Sequence, residues 1–294
     1  MLVTLLKTTR PSFLLLPFSV VALAGALAWH NGAEWSPIMQ SLVLLGAVCA
    51  HASVNVLNEV HDARSGLDDR TQRTPFSGGS GALQKDPDAT RSAELLGFGL
   101  LLIVVAVGLY FISLRGWELL PLGLAGIVVI MAYTPAITRS PWLCLLAPGV
   151  GFGPLMLVGS YFVLTGEFSW LALAVSLIPM FLVSNLLLLN QFPDLEADHR
   201  VGRKHLIIAT SPAFGLRVFC WFLIGPFLTL LLLVSMQYLP PKALLGLASL
   251  VFALPLYAGL LGDRHQAKVD NRLLGLNVMV NLSMPIFIAL GLLL

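Results

Sequence analysis

Charge is scarce in this chain. Of its 294 residues only 11% are Asp, Glu, Lys or Arg, against about 25% in an ordinary soluble domain. Cysteine is scarcer still: Cys49, Cys144 and Cys220 lie in separate apolar runs, with no Cys-x-x-Cys and no His pair at ligand spacing. That spacing excludes a disulfide framework or a zinc site and leaves three small buried hydrophobes. A soluble basic module is also missing, which excludes nucleic acid as a partner. What is abundant is apolar: 57% of the residues, with a mean hydropathy of +0.87. The few polar residues cannot cover a soluble core of that size, so the chain is expected to be an integral membrane protein with the lipid bilayer as its solvent.

A bilayer core of about 30 Å takes roughly 20 helical residues to cross. Nine apolar runs meet that length: Ser12–His30, Pro37–Val60, Ala93–Leu114, Trp117–Tyr133, Pro141–Leu164, Ser169–Phe192, Pro212–Gln237, Pro241–Leu261 and Leu273–Leu294. The fourth is the shortest. Turn residues separate them, among them Asn31-Gly32, Thr165-Gly166 and Pro240-Pro241. With the N-terminus inside, fifteen of the 17 Lys and Arg fall on inside segments and only Arg115 and Lys242 outside, the asymmetry of the positive-inside rule. The expected fold is therefore all-α, a single domain over residues 1–294 with nine transmembrane helices, N-terminus in the cytoplasm and C-terminus outside. Lys7, Arg10 and Ala26-Leu27-Ala28 resemble a signal peptide, but the apolar stretch between them is long for one and is expected to stay as the first span.

Polar residues concentrate in two long cytoplasmic loops, 61–92 after the second span and 193–211 after the sixth. Their openings repeat. Aligning Asn58 with Asn190 also aligns Asp62 with Asp194, and basic residues follow in both: Arg64, Arg70 and Arg73 in one, Arg203 and Lys204 in the other. Asn58 and Asp62 are four residues apart, as are Asn190 and Asp194, and Asp194 and Asp198, so each pair stacks on one helix face. His51 and Asn55 extend the first stripe. A carboxylate facing lipid costs about 2.5–3.5 kcal/mol, so the stripes are expected to face a shared cavity opening to the cytoplasmic side.

Acidic clusters beside Lys and Arg suit a polyanion held through a divalent metal. Mg²⁺ takes few protein carboxylates and completes its shell with phosphate oxygens and water, while Arg offers phosphate a two-pronged contact. A greasy cavity next to such a site suits a lipid diphosphate. The run Ser77-Gly78-Gly79-Ser80-Gly81 lacks the Gly-Lys-Ser/Thr ending of a phosphate loop and reads as a flexible turn. Asn277 and Asn281 share a face of the last span and read as interhelical hydrogen bonders. Tyr133 ends the fourth span, as an interface anchor or a ring facing a cation.

These residues resemble the UbiA superfamily of intramembrane aromatic prenyltransferases, over nearly the whole chain. The branch most similar is the 1,4-dihydroxy-2-naphthoate polyprenyltransferases of menaquinone synthesis. The text that carries the likeness is Arg10-Pro11, Asn58 through Asp68 with Gly66, and Arg73-Thr74-Pro75. Gly78 to Gly81, Phe152-Gly153-Pro154, Gly159-Ser160-Tyr161, Asn190 through Asp198 and Gly202-Arg203-Lys204 complete it. Two departures stand out. Glu59-Val60 replaces the branch's Asp-Tyr, and Ser140-Pro141-Trp142-Leu143 replaces its glycine-rich stretch before the fifth span.

The resemblance implies nine helices around a central cavity with two Asp-rich cytoplasmic loops. It implies metal ligation by Asn58, Asp62, Asp68, Asn190, Asp194 and Asp198, the four carboxylates being catalytic through two Mg²⁺ ions. Polyprenyl diphosphate and the acceptor would meet Arg10, Asn55, Arg64, Arg70, Arg73, Tyr133, Arg203 and Lys204, with Tyr133, Phe152 or Tyr161 facing the allylic cation. The implied setting is the inner membrane of a bacterium. A terpene cyclase would use the same ionisation machinery, and a secondary transporter would place its acidic groups nearer the bilayer midplane.

Overall fold

The computed structural model describes residues 1–66, 74, 76, 78–200, 202–262 and 269–294. Those residues form helices and turns only, with no strand among them. In hydrocarbon every backbone N–H and C=O must be satisfied within its own segment, which leaves the helix as the solution for runs this apolar. A short α1 (Leu2–Thr8) precedes α2 (Leu15–His30), which a single 3-10 turn extends back to Pro11. There follow α3 (Pro37–Ser65), α4 (Thr90–Arg115), α5 (Leu120–Ala132), α6 (Pro141–Val150) and α7 (Gly159–Thr165). The chain closes with α8 (Trp170–Arg200), α9 (Pro212–Ser235), α10 (Leu250–Gly262) and α11 (Asn271–Leu293).

The starts of these helices were written locally. Ser36 and Ser211 accept the backbone N–H of Met39 and Phe214, each with a proline at the first helical position, and Asp270 caps α11 through Leu273 N–H at 2.8 Å. Gly66 and Gly166 end α3 and α7 in the left-handed conformation that glycine adopts without strain.

Among the described residues, eight helical segments are long and apolar enough to cross a membrane. The expected fourth run forms the shorter apolar segment Trp117–Ala132 of 3-10 and α-helix. Its 16 residues reach about 24 Å at 1.5 Å per residue, less than the hydrocarbon thickness. Two other helices overrun their apolar text. α3 continues five residues past Val60 to Ser65, and α8 continues to Arg200 through Pro193. Asp62, Asp194 and Asp198 therefore stand on helix, not on loops as the polarity of 61–92 and 193–211 suggested. Polar residues can prolong these helices because their charges face protein groups rather than lipid.

Between α6 and α7 the ladder widens into a π-helix, Gly151–Val158. Pro148 and Pro154 each lack the N–H that a regular α-helix uses there. The chain lies against α8 here so closely that a Cβ on Gly149 of α6 would strike Met180 O, and one on Gly153 of the π-helix would strike Ser176 O. Small residues at such crossings let helix backbones meet in a bilayer. Gly153→Val is expected to cost about 1–3 kcal/mol or more by overpacking, lowering the melting temperature in detergent. Gly99→Ala, with open space around its Cβ position, is expected to leave it unchanged.

The core joins Leu23 and Leu27 of α2, Ile178 and Leu182 of α8, Phe219 of α9 and Met284 and Ile288 of α11. A polar thread crosses it. Asn277 donates to Asn185 O at 3.3 Å and Asn185 to Phe219 O at 3.0 Å, tying α11, α8 and α9, while Asn281 donates within its own helix to Asn277 O. The interhelical role read for Asn277 is thus seen, and that of Asn281 is local. Cys49 and Cys144 are buried.

Candidate active site

A cavity of about 440 Å³ opens among α3, α4, α5, the α6–π–α7 segment and α8. One end is apolar, walled by Val43, Ala47, Val107, Phe111 and Leu122; the other carries Arg10, Asn58, Asp62, Asn190, Asp194 and Arg203. From Asp62 to Val43 the wall of α3 runs about 28 Å, at 1.5 Å per residue. An extended apolar chain anchored at the polar end has that length to occupy.

The two Asn-x-x-x-Asp units meet at this polar end. Asn58 Nδ2 donates to Asp62 Oδ2 at 3.1 Å, and Thr134 Oγ1 donates to Asn58 Oδ1 at 3.0 Å. Arg203 then ties α3 to α8 through Asp62 and Asp198. It donates to Asp198 Oδ1 at 2.9 Å and to Asp62 Oδ1. Asp62 and Asp198 are each 3% exposed. Two carboxylates buried together would repel, and the guanidinium between them offsets that cost. Burial works against the charge on Arg203, but the adjacent Asp62 and Asp198 outweigh it and raise its pKa above that of an ordinary arginine. His205 Nε2 lies 3.1 Å from Asp198 Oδ2, outside hydrogen-bonding geometry.

The second unit keeps open valences. Asp194 Oδ2 accepts the Gly78 N–H at 3.2 Å, whereas the buried Asp194 Oδ1 and Asn190 Oδ1 have no hydrogen-bond partner among the described residues. Buried polar atoms are rarely left so, and an ion is one common reason. The donors here fit Mg²⁺, since all are carboxylate or amide oxygens. No three His, Cys, Asp or Glu side chains converge as a metal cage among the described residues. A site that takes part of its shell from phosphate does not need one.

Of the other residues read from the sequence, Asn55 and Tyr133 line the cavity, and Asn55 Nδ2 donates to Thr9 O at 3.0 Å. Arg64 does not reach it. Its guanidinium faces outward and pairs with Glu94 through two 2.7 Å hydrogen bonds. Lys204 is exposed and absent from the lining, its backbone N–H donating to Thr138 O. Phe152 lines the cavity and meets His51 edge-on, ring centroids 4.9 Å apart. Tyr161 does not line it, and its hydroxyl accepts Asn31 Nδ2 at 2.9 Å. Asp68, Arg70 and Arg73 lie outside the described residues.

Three features escaped the sequence reading. Thr134 orients Asn58, the Gly78 backbone binds Asp194, and Glu59 is fully buried between Arg10 and Ser80. Only Glu59 left a signal in the text, as the departure from the branch's Asp-Tyr after Asn58.

The comparisons with known proteins agree with this architecture. The model of the UbiA prenyltransferase family matches residues 17–282. The 2-carboxy-1,4-naphthoquinone phytyltransferase of Synechocystis sp. is 24% identical over 258 residues, 85% of this chain and 80% of that one. The 1,4-dihydroxy-2-naphthoate octaprenyltransferase of Bacillus subtilis is 26% identical over 205 residues, 69% of this chain and 64% of that one. Among solved structures, a UbiA homolog from Archaeoglobus fulgidus bound to GPP and Mg²⁺ superposes with a TM-score of 0.72 at 13% identity. That superposition covers 99% of this chain and 100% of the other. With a family model spanning nine-tenths of its length and the same fold in these neighbours, this chain belongs to the UbiA prenyltransferase family.

Proposed function

We propose that the protein transfers a polyprenyl group from polyprenyl diphosphate to an aromatic acceptor, 1,4-dihydroxy-2-naphthoate, in menaquinone synthesis, and does so with Mg²⁺. One observation carries the reading: two Asn-x-x-x-Asp units from different helices converge where a long apolar cavity turns polar. The names of the Synechocystis and Bacillus relatives support the choice of acceptor, and the A. fulgidus structure with GPP and Mg²⁺ supports the metal.

In this proposal Asn58, Asp62, Asn190, Asp194 and Asp198 hold two metal ions, joined by Asp68. Mg²⁺ bound there would neutralise charge on the departing diphosphate. Arg10 and Arg203 add positive charge at the same end of the cavity, with Arg70 and Arg73 from the adjoining segment. The allylic C–O bond breaks, its electron pair leaving with the diphosphate. The apolar walls keep water from the resulting cation, and Tyr133 and Phe152 offer it their ring faces. The acceptor carbon that carries the carboxylate then bonds to the allylic carbon, and its bond to the carboxylate breaks, releasing carbon dioxide and returning the electron pair to the aromatic ring.

The proposed setting is the inner membrane of a bacterium, with the chain as one domain, its N-terminus in the cytoplasm and its C-terminus outside. The short Trp117–Ala132 segment would be the ninth span. Diphosphate release tests the reading. Purified protein with Mg²⁺ and geranyl diphosphate is expected to release diphosphate only when the acceptor is present, and not after EDTA. Release without acceptor would indicate a cyclase, and no release in either case a transporter.

A further inference from the structure

One acid beside this site is held by several donors and is not one of the expected metal ligands. Glu59 follows Asn58 on α3 and has no exposed surface. Its Oε1 accepts Arg10 Nε and the Ser80 backbone N–H, both at 2.7 Å, and lies 2.7 Å from Arg10 Nη2. Its Oε2 accepts the Ser80 hydroxyl, also at 2.7 Å. Both carboxylate oxygens are thus engaged by protein donors, whereas Asp194 Oδ1 and Asn190 Oδ1 have none among the described residues.

Each partner has a conformation that needs holding. Arg10 sits in the left-handed region, φ 52° and ψ 68°, which a side-chain-bearing residue rarely adopts. Such a geometry persists only where the surroundings over-determine it. Gly78, Gly79 and Gly81 also have φ between 66° and 80°, so the loop carrying Ser80 is one that few other residues could form. Arg10, Gly78 and Gly79 all line the polar end of the cavity. The loop is pinned at one point by Gly78 N–H on Asp194 and at another by Ser80 on Glu59.

We infer that Glu59 is a positioning residue for the prenyl diphosphate: it fastens Arg10 and the Gly78–Gly81 loop to α3, fixing the rim against which the diphosphate rests. This deepens the proposed function and rests on it. Glutamate has the reach to hold Arg10 and Ser80 together. Aspartate, one methylene shorter, would reach one of them at the expense of the other. Glutamine would turn an NH₂ group toward a donor that Glu59 accepts.

The test is equilibrium binding of a non-hydrolysable prenyl thiodiphosphate with Mg²⁺ to purified protein, alongside steady-state transfer. Glu59→Gln is expected to weaken analogue binding about tenfold and Ser80→Ala about threefold, with the KM of the acceptor changed less than about twofold. Because both act through one contact, the double variant is expected to bind no worse than Glu59→Gln alone. Wild-type protein that binds no diphosphate analogue would remove the proposed function itself. Wild-type binding left unchanged by Glu59→Gln, or penalties that multiply in the double variant, would overturn this inference while leaving that function standing. Should Glu59→Gln not purify, Ser80→Ala and Arg10→Lys carry the test, and unaltered binding in both would overturn it equally.

Discussion

Replacing Asp194 with alanine is expected to reduce prenyl transfer by about 10²–10³-fold or more, the loss seen when a group that stabilises leaving-group charge is removed. The same change is expected to leave the protein folded and no less stable. Among the described residues Asp194 receives one hydrogen bond, from Gly78 N–H, and its buried Oδ1 receives none. A buried carboxylate in that state is a cost to folding that function retains. Transfer assays paired with thermal melts check both halves. Activity within tenfold of wild type, or a melting temperature that collapses with it, would contradict the role assigned to this residue.

Arg203→Met is expected to behave differently, losing stability and activity together. Arg203 is the cation between Asp62 and Asp198, both of which are almost wholly buried. Removing one partner of a buried ionic cluster costs about 3–5 kcal/mol, because charges are left uncompensated. Arg203→Lys is expected to recover little, since a single ammonium cannot bridge two carboxylates as the planar guanidinium does. A combined Arg203→Met, Asp62→Asn, Asp198→Asn variant should regain stability but no activity. Melting curves of the three variants in one detergent separate these outcomes, and an undisturbed Arg203→Met would show that the bridge contributes nothing.

The parts of this molecule legible in the sequence are those that lipid dictates. Hydropathy and proline positions place the long helices to within a few residues at most ends, since a helix in hydrocarbon has no alternative partner for its backbone. The Asn58/Asp62 and Asn190/Asp194 spacings likewise place side chains on common faces. Hydropathy fails where the helices leave lipid: α3 and α8 run on through Asp62, Asp194 and Asp198, sheltered by protein contacts that no window of residues contains. It fails again at Arg64 and Lys204, because positive charge beside an acidic motif does not say which way the side chain points. Arg64 found Glu94, thirty residues away. Glu59 is the instructive case. Its text reads as a departure from a pattern, while its surroundings make it a junction of three segments.

The central claim is that the converging acidic units at the mouth of the cavity drive prenyl transfer to an aromatic ring. Product analysis by mass spectrometry tests it most directly, using purified protein, Mg²⁺, a polyprenyl diphosphate and 1,4-dihydroxy-2-naphthoate. A prenylated product in equal amount to released diphosphate, absent with Asp62→Ala, is the predicted result. Prenylated product formed undiminished by Asp62→Ala, or no product where a related transferase turns over, would contradict the account.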